Sequence, residues 1–109
     1  MSNKENTLTI CMNALEDLKA QNICSLDISK TSNFADWLIV ATATSSTHAR
    51  AVSDKVIEAI KENNHSIMGI EGKENAEWVL IDGGEVVVNI MLADTRDFYD
   101  LEGLWGAYS

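Results

Sequence analysis

The sequence predicts an α/β fold in which helices pack on a mixed five-stranded sheet. An apolar helical stripe opens the chain, a strand-like apolar run gives way to a second helical stripe, and two apolar runs then flank a pair of glycines. These observations predict the element order α-β-β-α-β-β-β-α. Because 109 residues is the usual length of one domain, we expect a single domain over residues 1–109.

The first helix and the first two strands follow from apolar spacing. We expect the helix to end at Asn22, and residues 23–28 to form a strand. Residues 29–33 are a polar turn, and the apolar run 36–44 predicts a longer, buried strand beside the first. The helix has one apolar face, formed by Leu8, Cys11, Met12, Leu15 and Leu18.

A second amphipathic helix follows, with Ser45 or Ser46 as its N-cap. Residues 66–70 return to strand character, so residues 36–70 predict a strand-helix-strand crossover whose two strands run parallel. The apolar stripe of this helix consists of Ala49, Val52, Val56, Ile57 and Ile60.

The two apolar runs around Gly83 and Gly84 predict a β-hairpin. If these glycines form a two-residue loop, Asp82 faces Glu85 across it. Side chains alternate along a strand, so one face of the hairpin is aliphatic and predicted to be core: Val79, Ile81, Val86, Val88 and Ile90. The opposite face is a mixed apolar and acidic strip: Trp78, Leu80, Asp82, Glu85, Val87, Asn89 and Met91.

The last predicted element is a helix capped by Asp94 and stopped by Gly103. Tyr99 lies about a quarter-turn from the apolar face of this helix, on a flank next to Glu102, where a ring can stay half-exposed. The face expected to pack on the sheet is formed by Phe98, Leu101 and Trp105.

The net charge of −9 argues against direct contact with nucleic-acid phosphates, which requires an excess of lysine and arginine. Most of the excess lies in residues 71–109, where nine acids face only Lys73 and Arg96. Such a surface suits a basic protein partner, although solubility alone also explains it.

Other functional classes have little support in the sequence. Cys11 and Cys24 are too few for a disulfide framework, so we expect both to be reduced and buried. His48 and His65 lie apart from each other and from the cysteines, so we expect neither a metal ion nor a cofactor. No apolar run reaches the roughly 18 residues that span a bilayer, so we expect a cytoplasmic protein without membrane contact.

An enzyme or nucleotide binder is the second hypothesis. The hydroxyl-rich turn at Ser45 and Ser46, with His48 and Arg50, could offer an anion the amides of a helix N-terminus. The element order also resembles nucleotidyltransferases. Their magnesium chemistry requires paired carboxylates, and the sequence has no acid pair one residue apart on a strand. We therefore expect no catalysis.

Three segments together resemble the ribosomal silencing factors, or Iojap-like proteins: ATATSSTHARAVSDKV (41–56), GIEGKENAEWVLIDGGEVVVNIM (69–91) and RDFYDLEGLWG (96–106). Their order and spacing match the family. The chain departs from the family pattern at Thr47, where the family has arginine, and at Asn89, where it has histidine.

This resemblance implies binding to the fourteenth protein of the large ribosomal subunit. It implies that small-subunit docking is blocked and that translation falls when nutrients are scarce. A homodimer through the mixed hairpin face is a further possibility. The predicted partner-binding residues are Trp78, Leu80, Asp82, Glu85, Met91, Tyr99, Asp100 and Glu102.

Overall fold

A computed structural model describes residues 6–106 and places five strands in one mixed sheet in the order β1-β2-β5-β4-β3. The predicted α/β class and sheet are confirmed, and residues 1–5 and 107–109 of the predicted domain lie outside the described part. The elements are α1 (Thr7–Asp17), β1 (Gln21–Asp27), β2 (Trp37–Ala43), α2 (Ser46–Glu62), β3 (Gly69–Glu71), β4 (Trp78–Asp82), β5 (Val86–Leu92), α3 (Ala93–Tyr99) and α4 (Leu101–Gly106).

The parallel pair β2–β5 forms the centre of the sheet, and all other neighbouring strands are antiparallel. The predicted crossover from β2 through α2 to β3 has its two strands in the same direction, but β5 and β4 lie between them. The first six residues of β5 are buried, whereas every residue of the three-residue β3 is half-buried or exposed. The longer apolar strand β5 therefore lies at the centre of the sheet, and the short strand β3 lies at an edge.

Helices α1 and α2 pack together and cover one face of the sheet. The aliphatic hairpin face predicted to be core is buried under them, which confirms the predicted alternation. Ser45 is the N-cap of α2, and its hydroxyl accepts a hydrogen bond from the backbone N–H of His48 at 3.1 Å. The prediction that α1 ends at Asn22 is wrong. The helix ends at Asp17, where Leu18 and a left-handed Lys19 (φ 60°) turn the chain into β1.

The hairpin loop consists of Gly84 and Glu85, one residue later than predicted. The N–H of Gly83 donates to the carbonyl of Val86 at 2.9 Å, so Asp82 pairs with Val87 and not with Glu85. Gly84 adopts φ +88°, which a glycine accommodates without strain. The shift moves the cross-strand pairing by two residues, so each side chain stays on its predicted face.

A smaller core lies on the other face of the sheet, beneath α4. Its buried residues are Ile28, Ala35, Leu38, Val40, Val87 and Met91. Leu101 and Trp105 pack on it as predicted. Within residues 6–106, no helix combines the length and apolar content required to cross a membrane.

The predicted last helix is broken in two at Asp100, whose backbone is left-handed (φ 45°). Its carboxylate accepts a hydrogen bond from the N–H of Gly103 at 3.1 Å, so Asp100 starts α4 and Gly103 lies inside it. The break removes Phe98 from the face of Leu101 and Trp105. The prediction that Phe98 packs on the sheet is therefore wrong, and its side chain is 80% exposed.

Candidate functional site: a half-covered sheet face

The second face of the sheet is covered over β1 and β2 and left partly open over β4. Helix α4 packs near β1, whereas Trp78 and Leu80 on β4 are only half-buried. Phe98 and Tyr99 at the end of α3 stand at the margin of this opening. We call Trp78, Leu80, Asp82, Phe98 and Tyr99 the open face.

Three aromatic rings, those of the half-buried Trp78 and the exposed Phe98 and Tyr99, form a continuous cluster on the open face. The ring centroids of Trp78 and Tyr99 are 4.8 Å apart, and those of Phe98 and Tyr99 are 5.0 Å apart at nearly right angles. Tyr99 is 51% exposed. Because burying a phenylalanine side chain is worth about 2–3 kcal/mol, exposed rings such as these favour contact with another molecule.

Trp78 is held in a fixed orientation. Its indole Nε1–H donates to the side-chain oxygen of Asn89 at 2.8 Å, and the amide nitrogen of Asn89 donates to the carbonyl of Ile39 at 3.3 Å. The backbone of Trp78 is also tightly packed against Gly72, which has φ +85°. A Cβ built on Gly72 would lie 2.1 Å from the carbonyl oxygen of Trp78.

The acids of the hairpin lie at the other end of β4, about 13 Å from Trp78 given the rise of a strand. Asp82 is half-buried, and its carboxylate accepts a hydrogen bond from the N–H of Gly84 at 2.9 Å. Glu85 is exposed at the tip. The open face therefore has an aromatic end and an acidic end, with Leu80 between them.

Arg96 and Glu102 form a bidentate ion pair that ties α3 to α4. The guanidinium donates to the two carboxylate oxygens at 2.8 and 2.7 Å, and also to the hydroxyl of Thr42 on β2 at 2.8 Å. Hydrogen bonding from Arg96 lowers the pKa of Glu102, although partial burial opposes this effect. The charge of Glu102 is thus already matched within the chain.

The turn at the start of α2 is the anion-binding site of the second hypothesis. Its basic residues, His48 and Arg50, already make hydrogen bonds within the chain. The Nδ1 of His48 accepts from the N–H of Thr44 at 3.0 Å, which leaves Nε2 as the donor to the carbonyl of Leu18 at 2.7 Å. Arg50 donates to the carbonyls of Lys73 and Glu74 at 3.1 and 2.6 Å. These contacts fasten the helix to neighbouring loops.

Comparison with known proteins decides the family. Residues 1–109 match the family model described as ribosomal silencing factor during starvation. The chain belongs to the ribosomal silencing factor family. The silencing factor of Chromobacterium violaceum is 44% identical over 97 residues, which cover 89% of this chain and 80% of that protein.

Two further comparisons extend this family assignment. A crystal structure of a Chromobacterium violaceum protein superposes with a TM-score of 0.92 at 41% identity, covering 96% of this chain and 88% of that one. The mouse protein named mitochondrial assembly of ribosomal large subunit protein 1 is 28% identical, covering 90% of this chain and 44% of its own length. Family membership supports a ribosome-associated role in translation regulation, a regulatory role rather than an enzymatic one.

The fold separates the residues predicted to bind a partner into two groups. Trp78, Leu80, Asp82 and Tyr99 share the open face, and Glu85 extends it at the hairpin tip. The prediction for Met91 is wrong, because its side chain lies opposite Trp78 in the sheet and is fully buried in the smaller core.

Asp100 and Glu102 have structural partners within the chain: Asp100 caps α4, and Glu102 forms the ion pair with Arg96. Sequence reasoning missed Phe98 as an exposed residue. An available signal was Asp100, since aspartate is a favoured N-cap and tolerates a left-handed backbone. Because the helix breaks there, Phe98 in α3 no longer shares a face with Leu101 and Trp105 in α4.

Proposed function

We propose that this protein binds the large ribosomal subunit at its fourteenth protein, blocks docking of the small subunit and represses translation when nutrients are scarce. The open face carries this proposal, because it has partly exposed aromatic rings at one end of β4 and the acids Asp82 and Glu85 at the other. Tyrosine and tryptophan are enriched at the centres of protein interfaces. Trp78, Leu80 and Tyr99 would anchor the partner, while Asp82 and Glu85 attract its basic residues.

Charge supports a protein partner over bare RNA. The chain has 17 acidic residues against 8 lysines and arginines, so it repels phosphates and is attracted to the basic proteins that coat ribosomal RNA. Electrostatic attraction of this kind mainly raises the association rate and suppresses wrong partners. The proposed location is the cytoplasm, where large ribosomal subunits take part in translation.

The relatives support a ribosomal target without identifying the contact. Several are named ribosomal silencing factors, and the mouse relative's name refers to the large subunit. Steric blocking requires no chemistry. An interface of ordinary size, about 800 Å² on each partner, suffices if it overlaps the surface where the small subunit docks.

The test is a subunit-joining assay on sucrose gradients with purified subunits. Wild-type protein should co-sediment with large subunits and reduce the joined-ribosome peak. Tyr99→Ala removes an exposed anchor and Glu85→Lys reverses an exposed charge, so each should weaken binding about tenfold or more. Asp82→Asn is preferred to a lysine at that position, because the asparagine oxygen still accepts the hydrogen bond from Gly84.

Matched controls are Phe34→Ala, which removes a ring 59% exposed near Trp105, and Glu62→Lys, which reverses an exposed acid on α2. If wild-type protein does not bind large subunits, the proposed function is wrong. If it binds but the test and control variants behave alike, the assigned face is wrong. Light scattering of the free protein detects a homodimer, whose loss in Tyr99→Ala alone would assign this face to self-association.

A further inference from the structure

A concave notch opens beside the aromatic cluster, between the start of β4 and the outer side of α3. It has a volume of about 540 Å³, and its lining residues include Trp78, Phe98 and Tyr99 together with the acids Glu77 and Asp94. Neither acid was among the predicted binding residues. We call these five residues the aromatic notch.

The two acids of the notch are uncompensated. Across residues 6–106, neither Glu77 nor Asp94 has a hydrogen-bond or ion-pair partner for its carboxylate, and both are exposed. The basic residues close to the notch in sequence are paired elsewhere, Lys73 with Asp54 and Arg96 with Glu102. The notch therefore combines negative charge with aromatic surface and, among its described lining residues, contains no cation.

From this geometry we infer that the aromatic notch binds the guanidinium group of an arginine side chain presented by the ribosomal partner. A guanidinium stacks on aromatic rings by cation–π attraction when it lies within about 6 Å of a ring centroid. Its planar donors also match carboxylate oxygens, which a compact ammonium does less well. Phe98 offers an almost uncovered ring for stacking, and Glu77 and Asp94 offer the acceptors.

The inference deepens the proposed function and rests on it for the source of the arginine. It also explains why Phe98 faces solvent. If an apolar side chain occupied the notch, it would remove water from the two carboxylates and give them no partner. Desolvating an unpaired charge costs free energy. A guanidinium uses both the rings and the acids.

The first experiment uses the isolated, ¹⁵N-labelled protein. N-acetylarginine methylamide is titrated while the indole N–H signal of Trp78, assigned with Trp78→Phe, is followed. We expect arginine to shift this signal and the amides of Phe98 and Tyr99, and the uncharged citrulline analogue to leave them unchanged. An equal response to citrulline or to N-acetyllysine methylamide, or no response to arginine, overturns the inference.

The second experiment measures affinity for large subunits at two salt concentrations. Glu77→Gln with Asp94→Asn, and separately Phe98→Leu, should each weaken binding roughly 3- to 30-fold, and the double acid variant should also reduce the salt dependence. Phe98→Leu keeps an apolar side chain and removes only the ring. The controls are Glu62→Gln and Phe34→Leu, which change an acid and a ring away from the notch.

The outcomes separate the two proposals. Binding by wild-type protein with no loss in the notch variants overturns the inference and leaves the proposed function intact. Failure of wild-type protein to bind large subunits overturns the proposed function, while the arginine titration still decides what the notch recognises.

Discussion

The side-chain oxygen of Asn89 accepts the indole N–H of Trp78 at 2.8 Å, across the pair of strands β4 and β5. Asn89 is 1% exposed, and its own amide is bonded to the carbonyl of Ile39 on β2. One buried side chain thus links three adjacent strands and orients the central ring of the open face. In this chain the acceptor for the indole N–H is the amide oxygen of an asparagine.

Replacing Asn89 with leucine should lower the free energy of unfolding by about 2 kcal/mol, because the Trp78 indole N–H loses its partner in a half-buried site. In a Trp78→Phe background, which has no N–H to satisfy, the same replacement should cost about 1 kcal/mol less. Urea unfolding of the four proteins in this cycle measures both values. A coupling energy of zero would show that the contact contributes nothing to stability.

The ion pair between Arg96 and Glu102 predicts a pH-dependent contribution to stability. Because hydrogen bonds from Arg96 hold the pKa of Glu102 below its ordinary value of about 4.3, the pair stabilises the fold above that pH. This contribution is lost as the pH falls through the lowered pKa. Glu102→Gln should therefore cost about 1 kcal/mol at pH 7 and progressively less in acid.

Urea unfolding of wild-type protein and Glu102→Gln over a pH series from 7 to about 2.5 tests this behaviour. Glu62→Gln, at an exposed position on α2, is the control and should leave stability close to wild type throughout. A constant difference between wild type and Glu102→Gln at every pH would contradict the predicted linkage.

The buried Cys11 should be protected from alkylation in the folded protein. Burial raises the pKa of Cys11 to about 12, so its thiol stays protonated at pH 8.5, and only the thiolate reacts with alkylating reagents. In a Cys24→Ser variant, iodoacetamide at pH 8.5 should leave the native protein unlabelled and label it in 6 M urea, as followed by mass spectrometry. Equal labelling rates in the two conditions would mean that α1 opens readily.

The sequence was sufficient where structure depends on local pattern. Alternation placed Val79 and Ile81 in the larger core, and the two serines before a helical stripe predicted a cap at Ser45 or Ser46, of which Ser45 is the cap in the structure. The hairpin loop was misplaced by one residue because Gly83 and Gly84 are equally permissive neighbours, and the choice between them is made by cross-strand pairing.

Long-range packing determined what local pattern could not. Met91 alternates with residues that look solvent-facing, yet it is fully buried in the smaller core, against which Leu101 and Trp105 of α4 also pack. The exposure of Phe98 depends on one residue with a left-handed backbone, Asp100, at which α3 ends. Glu77 and Asp94 are distant in sequence and become neighbours of one notch only when α3 is placed beside the start of β4.

The central position of β5 has a consequence for the order of synthesis. Residues 86–92 leave the ribosome after every other strand, yet they lie between β2 and β4. Until they emerge, the apolar β2 lacks the parallel neighbour with which it pairs over its whole length, and the sheet cannot close. The open face requires β4, β5 and α3 together, so a nascent chain that lacks residues 86–99 has no assembled open face. If the proposed function is right, such a chain does not bind large subunits.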